Sequence, residues 1–166
     1  MNAIRILGLD PGLRRTGWGV IVMDGARLAH VAHGVIVPKD TLPFSERLLA
    51  LFEGIAEVVE RHGPHEAAVE ETFVTANGSS TLKLGHARAA VMLAPAKAGL
   101  EVAEYAATVV KKSLVGAGGA DKTQVAFMVR RILPTAGDAT ADAADALAVA
   151  ITHAHARKLR RLGAVA

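Results

Sequence analysis

The chain has 166 residues, a formal net charge of +3 and no cysteine. This length suits one domain with its own hydrophobic core, and the lack of cysteine excludes disulfide bonds and thiolate zinc sites. The most apolar stretch, residues 87–98, contains Arg88, Pro95 and Lys97, so no membrane span is predicted. The first residues carry no signal-peptide pattern, and we expect a cytoplasmic protein.

Short strands joined by turns are predicted at the start of the chain. They cover residues 4–9, 18–23 and 27–37. Asp24-Gly25 is a strong hairpin signal, so we expect these strands to pair as antiparallel neighbours. A helix is predicted over residues 44–62, because apolar residues recur there at three- and four-residue spacing and Gly63-Pro64 follows.

Helices and strands alternate in the remainder of the chain. The predicted elements are a strand at 67–73, a helix at 81–98, a strand at 101–106, and helices at 108–115, 121–133 and 141–157. Ser79 or Ser80 is expected to cap the first of these helices, and Asp121 the helix that it precedes. The pattern predicts an α/β fold with a mixed sheet. We expect one domain over residues 1–157 and a basic, disordered tail over residues 158–166.

Two acidic residues interrupt the apolar final helix. Between Ala141 and Ile151 the only polar residues are Asp142 and Asp145, and residues three apart share a helix face. A helix that is apolar nearly all round is buried, so two carboxylates there need protonation, a basic partner or a metal cation. A favourable place in the first helical turn is an alternative that accounts for Asp142 but poorly for Asp145.

Further acidic residues lie at predicted strand ends. Asp10 ends the first strand just before a turn, where α/β sheets often bind ligands, although a simple turn role is the alternative. Glu70 and Glu71 are adjacent in a strand, so only one can face a given site, and alternation does not choose between them. Because these candidate ligands are all oxygen donors, they favour Mg²⁺ or Mn²⁺. Two such ions can activate a water and stabilise the leaving oxygen of a phosphodiester.

Six sequence segments, spread over about residues 4–155, resemble one family in their order. The segments are Ile6-Leu7-Gly8-Leu9-Asp10-Pro11-Gly12 with Thr16-Gly17, then Ala68-Val69-Glu70-Glu71-Thr72-Phe73, Leu82-Lys83-Leu84-Gly85-His86-Ala87-Arg88, Val110-Lys111 leading to Val115-Gly116, Ala120-Asp121-Lys122-Thr123-Gln124-Val125, and Asp142-Ala143-Ala144-Asp145-Ala146-Leu147-Ala148. Any one of them is common, but all six in this order are specific. Together they resemble the RuvC family of Holliday junction resolvases.

The resemblance implies an RNase H-like fold and an endonuclease that resolves Holliday junctions in DNA recombination and repair by paired nicks near the crossover. It implies catalytic, metal-binding carboxylates at Asp10, Glu70, Asp142 and Asp145. These would hold Mg²⁺ or Mn²⁺, two ions per subunit, with Asp10 bridging them. Glu70 aligns with the family's glutamate, whereas Glu71 stands where a neutral residue is common.

The resemblance also implies DNA contacts and partners. Phe73 would stack on bases near the crossover, and Lys111 and Lys122 would approach the scissile phosphate; a core position and a solvated surface are the respective alternatives. A homodimer formed through the helix at 81–98 would present two active sites to a four-way junction. Coupling to a branch-migration complex of RuvA and RuvB is implied as well.

Other functions stay open at this point. A nuclease of the same fold could act on RNA or on RNA–DNA hybrids. An actin-like nucleotide-binding phosphotransferase also begins with a strand, an aspartate and a glycine turn, but it needs a second phosphate loop and a longer chain. A non-catalytic DNA-binding module is disfavoured, because unneeded carboxylates would repel phosphate.

Overall fold

The computed structural model describes residues 3–71 and 76–161, apart from the side chains of residues 160 and 161. Its strands are β1 (Ile4–Asp10), β2 (Thr16–Asp24), β3 (Arg27–Ile36), β4 (Glu66–Glu70) and β5 (Val102–Tyr105). Its helices are α1 (Phe44–His62), α2 (Gly78–Lys97), α3 (Ala107–Val115), α4 (Lys122–Ile132) and α5 (Ala141–Arg161), with a 3₁₀ turn at Pro134–Ala136. None of the helices in these residues is both long and apolar enough to cross a membrane.

The strands form one mixed sheet in the order β3-β2-β1-β4-β5. β1 pairs antiparallel with β2, and β2 with β3, whereas β4 runs parallel to β1 and β5 parallel to β4. The parallel pairs need crossover connections, and α1 and α2 supply them. The predicted α/β fold, with three antiparallel strands followed by alternating helices and strands, is confirmed as the RNase H-like arrangement.

Alternation along β1 divides the core into two layers. Ile6 is fully buried on one face of the sheet in a cluster with Leu147 of α5. Leu7 is buried on the other face with Leu51 of α1 and Val91 of α2. Because successive strand residues point to opposite faces, the even-numbered residues of β1 face α5.

Glycines in β1 and β2 allow α5 to lie directly on the sheet. A Cβ added at Gly8 would lie 2.0 Å from the carbonyl oxygen of Ala146, and one at Gly17 would lie 2.0 Å from that of Asp142. The alanine-rich face of α5 matches these glycines, so helix and sheet approach more closely than larger side chains permit. This contact fixes Asp142 and Asp145 above the end of β1.

The N-cap residues of α4 and α2 were both predicted from the sequence. The predicted cap at Asp121 is confirmed, since its side chain accepts from the backbone nitrogen of Gln124 at 2.8 Å in a capping box. The predicted cap of α2 at Ser79 or Ser80 is wrong. The cap is Asn77, whose extended backbone lets its side chain accept from the backbone nitrogen of Ser80 at 3.1 Å.

The end of the chain differs from its prediction. Helix α5 continues to Arg161, so residues 158–161 are helical instead of belonging to a disordered tail. Arg157 Nε donates to Glu66 Oε1 at 2.8 Å and His153 pairs with the same carboxylate, which ties this part of α5 to β4. Residues 162–166 lie outside the described residues.

Candidate active site

A cavity of about 120 Å³ lies where β1 and β4 end beside α3, α4 and α5. It is lined by five of the residues singled out from the sequence, Asp10, Glu70, Lys111, Lys122 and Asp145, together with Ala107, Val110, Val125 and Ala148. Three carboxylates and two amines therefore share one small space whose remaining walls are apolar.

Asp10 occupies the last position of β1, on the face that α5 covers. It pairs with Gly17 of β2. The turn that follows is closed by the buried Thr16, whose hydroxyl donates to the carbonyl of Gly12 at 2.9 Å and accepts from its nitrogen at 3.2 Å. The sequence had given Thr16 only as part of a motif; in the structure it anchors the turn that holds Asp10 in place.

The structure separates the two adjacent glutamates. Glu70 ends β4 two residues after Ala68, which is buried in the layer under α5, so Glu70 faces the cavity. Glu71 lies beyond the strand with an exposed side chain, and its backbone nitrogen donates to the carbonyl of Tyr105 at 2.8 Å. The choice that alternation alone left open therefore falls on Glu70 as the residue placed at the site.

Lys122 and Asp145 form an ion pair at the cavity. Lys122 Nζ donates to Asp145 Oδ2 at 3.0 Å. Lys122 is the first residue of α4, directly after the Asp121 cap, so its backbone is held firmly. The hydrogen bond to Asp145 raises the pKa of Lys122 and keeps its amine charged. Lys111 enters from α3, and its charge partly opposes the rise that burial causes in the pKa of Glu70.

The basic residues do not fully compensate the buried carboxylates. Burial, followed by the charges of Asp145 and Glu70, raises the pKa of Asp10 from 3.8 to about 7, although Lys122 opposes the shift. Burial, followed by the charge of Asp145, also raises the pKa of Glu70. An ionised Asp10 is therefore unfavourable at this site unless a further cation is present.

We expect Asp10 to make the stability of the protein depend on pH in the presence of EDTA. A carboxyl whose pKa is about 7 when folded and 3.8 otherwise destabilises the folded state increasingly between those two pH values. Asp10→Asn cannot ionise, so at pH 8 it should be more stable than wild type by on the order of 2–4 kcal/mol. The difference should disappear near pH 4. Urea unfolding at both pH values measures it, and an equal difference at both would contradict the assignment.

Asp142 lies beside the cavity and not in its lining. Its Oδ2 accepts from Arg15 Nε at 2.7 Å, and its charge adds the smallest of the contributions that raise the pKa of Asp10. Arg15 was not singled out from the sequence. The only available signal was its place in the turn after Asp10, because the partner residue is 127 positions away.

The predicted metal ligands are not gathered into a ready-made metal site. Across residues 3–71 and 76–161, no group of three or more histidine or acidic side chains lies close enough together to hold a metal ion as placed. Two of the four predicted ligands, Asp142 and Asp145, point instead to Arg15 and Lys122. Phe73 lies in 72–75, outside the described residues, so its predicted stacking role stays a prediction.

Comparisons with known proteins agree with one another. The sequence model of the family described as crossover junction endodeoxyribonuclease RuvC matches residues 6–153. A crossover junction endodeoxyribonuclease RuvC of Caulobacter sp. (strain K31) is 65% identical over 165 residues, which is 97% of this chain and 98% of that protein. One of Maricaulis maris (strain MCS10) is 62% identical over 164 residues, 99% of this chain and 98% of that protein.

Comparison with solved structures identifies the same family. The solved structure of T. thermophilus RuvC in complex with Holliday junction substrate matches with a TM-score of 0.88 and 34% identity, over 95% of this chain and 96% of that one. The family model covers most of the chain, and the relatives match over nearly their full length. The protein belongs to the RuvC family of crossover junction endodeoxyribonucleases.

Proposed function

We propose that this protein resolves Holliday junctions by hydrolysing phosphodiester bonds near the crossover, with Mg²⁺ or Mn²⁺ held at the cavity of Asp10, Glu70 and Asp145. The observation that carries the proposal is the meeting of these three carboxylates with Lys111 and Lys122 in one cavity. Family membership supports the reaction, and the relative whose structure contains a Holliday junction supports the substrate.

The donor set fits a divalent cation. Its ligands are carboxylate oxygens, which Mg²⁺ and Mn²⁺ prefer. Burial, followed by the charges of Asp145 and Glu70, raises the pKa of Asp10, and a divalent cation would favour its ionised form again. Asp142 and Asp145 would join the set by exchanging Arg15 and Lys122 for the cation. A pair of bound ions would activate the attacking water and stabilise the leaving oxygen.

The lysines act on the DNA strand. Lys122 lies at the N-terminus of α4 with an exposed side chain, so its amine can leave Asp145 for a phosphate oxygen. Lys111, on α3, lines the same cavity and can also neutralise charge on that phosphate. Both would position the scissile group and stabilise the charge that develops on it during hydrolysis.

A homodimer through α2 would pair two such sites. One stripe of α2 is exposed and carries Leu82, Gly85, Ala89 and Leu93, with 64% and 60% of the two leucines accessible. A Cβ added at Gly85 would meet nothing within 4 Å, so a second helix can approach there. Twofold symmetry then directs the sites to two strands of the junction. Base stacking by Phe73 and coupling to RuvA and RuvB stay predictions of the family resemblance.

A cleavage assay tests the proposed function. Purified protein is incubated with a synthetic mobile four-way junction and, separately, with an RNA–DNA hybrid duplex, in Mg²⁺, Mn²⁺ or EDTA. We expect paired nicks near the crossover in either metal, none in EDTA, and no cutting of the hybrid. Preferred cutting of the hybrid would support the alternative nuclease, and metal-independent cutting would refute the proposed chemistry.

The two adjacent glutamates provide an internal comparison. Glu70→Gln should lower the rate of junction cleavage by roughly 10²-fold or more, because it removes a charge that holds the cations. Glu71→Gln removes the same charge one residue away, from an exposed position, and should leave the rate within about twofold of wild type. Single-turnover cleavage rates of the two variants measure the difference. Similar losses of cleavage rate in both variants would contradict the assignment of Glu70 as the metal-binding glutamate.

A further inference from the structure

Arg15 binds the one member of the proposed ligand set that does not line the cavity. Its Nε lies 2.7 Å from Asp142 Oδ2. Asp142 precedes Asp145 by three residues on α5, and its negative charge repels that of Asp10. The arginine therefore occupies an oxygen that the proposed chemistry assigns to a divalent cation.

We propose that Arg15 exchanges between Asp142 and a phosphate of the bound DNA strand, so that DNA binding frees Asp142 to hold a divalent cation. The inference rests on the proposed function and adds a residue that couples its two ligands. Arginine and a divalent cation compete for Asp142 Oδ2, because both are positively charged and both need the same lone pairs.

The pair is exposed enough to exchange. Half of the Arg15 side chain and 32% of the Asp142 side chain are accessible. Ion pairs with this exposure contribute little stability and exchange readily. A guanidinium also has the planar fork that matches phosphate oxygens, so DNA offers Arg15 a partner at least as good as the carboxylate.

The backbone around Arg15 limits the exchange to its side chain. Arg15 precedes the buried Thr16, whose hydroxyl closes the turn on Gly12, and this turn starts directly after Asp10. Arg15 is therefore kept beside the site whichever partner it binds. Because coupling between two ligands is reciprocal, a DNA strand that attracts Arg15 raises the affinity for the cation, and the cation raises the affinity for DNA.

Mn²⁺ binding to the protein without DNA tests the competition. Electron paramagnetic resonance of free Mn²⁺ gives the affinity of wild type, Arg15→Gln and Arg14→Gln. Arg15→Gln should bind Mn²⁺ more tightly by roughly two- to fivefold, the range that a part-exposed ion pair supplies. Arg14 is the exposed neighbour in the same turn, so Arg14→Gln makes the same charge change and should keep the wild-type affinity.

Junction binding in EDTA tests the other half of the exchange. Fluorescence anisotropy at several salt concentrations should show that Arg15→Gln reduces the salt slope of binding by about one. The control is Arg61→Gln, which loses the same charge at the C-terminal end of α1. That end of α1 lies next to Arg5 at the start of β1, away from Asp10. The salt slope of junction binding by Arg61→Gln should therefore match that of wild type.

The outcomes separate the inference from the proposed function. Tighter Mn²⁺ binding together with the smaller salt slope supports the exchange. Unchanged or weaker Mn²⁺ binding by Arg15→Gln overturns it and makes Arg15 a residue that orients Asp142. An unchanged salt slope overturns it as well, because the phosphate partner is then missing. Failure of wild type to bind Mn²⁺ refutes the proposed function, and the inference with it.

Discussion

Asp10→Asn is expected to reduce junction cleavage by roughly 10³-fold or more while junction affinity in EDTA stays within about twofold of wild type. The amide keeps the volume of the side chain but removes the charge at the centre of the cavity, where Glu70 and Asp145 both act on Asp10. Since the cations would be lost and Lys111 and Lys122 would remain, chemistry should fail and binding should persist. Single-turnover cleavage and an anisotropy titration measure the two effects separately.

Asp24→Asn is the matched control for this substitution. Asp24 is exposed at the far end of β2 from Gly17, next to the hairpin turn at Gly25. Asp24 pairs with Arg27 just before the turn residues, and Asn has nearly the same size as Asp, so the fold should tolerate the change. Its cleavage rate should equal that of wild type. A fully active Asp10→Asn protein would refute the assignment of Asp10, and an equal loss in Asp24→Asn would show a general effect of charge.

Gly8→Ala is expected to destabilise the folded protein strongly. Its new Cβ would lie 2.0 Å from the carbonyl oxygen of Ala146 and 2.7 Å from the nitrogen of Ala150, both backbone atoms of α5. No rotation of a side chain relieves such contacts, so α5 must move away from β1. We expect about 3 kcal/mol of destabilisation and a melting temperature lower by roughly 10 °C.

The same displacement should impair the active site. Asp145 lies on the part of α5 that Gly8 contacts, so the residual folded protein should cleave junctions more slowly than its folded fraction explains. Gly78→Ala serves as the control, since a Cβ there meets nothing within 4 Å. Thermal unfolding and cleavage below the melting transition measure both effects. Wild-type stability of Gly8→Ala would contradict the close contact between helix and sheet.

Local signals allowed much of the fold to be predicted. The bounds of α1 follow from its apolar stripe and from the glycine after it. The turn signal at Asp24-Gly25 predicted the β2–β3 hairpin, in which Asp24 pairs with Arg27 and the turn is Gly25-Ala26. Each of these features depends on residues that are close in the sequence. Asp10 could be placed at a strand end for the same reason.

Contacts between distant segments could not be predicted from pattern alone. The face on which Glu70 lies depends on which layer covers Ala68, and this follows only from the docking of α5 on the sheet. The family resemblance indicated Glu70, which lines the cavity, but it gave no indication of Arg15. The pairs of Asp142 with Arg15 and of Asp145 with Lys122 join separate elements, so their effect on the proposed metal ligands required coordinates.

Divalent cations are expected to bind among Asp10, Glu70 and Asp145, with Asp145 released from Lys122. Anomalous diffraction from crystals soaked in Mn²⁺ locates such cations. We expect Mn²⁺ peaks within coordination distance of oxygens of Asp10, Glu70 and Asp145, with Lys122 Nζ displaced from Asp145. A cavity that shows no Mn²⁺ peak at saturating metal, with the Lys122–Asp145 pair intact, would refute a metal site at these carboxylates.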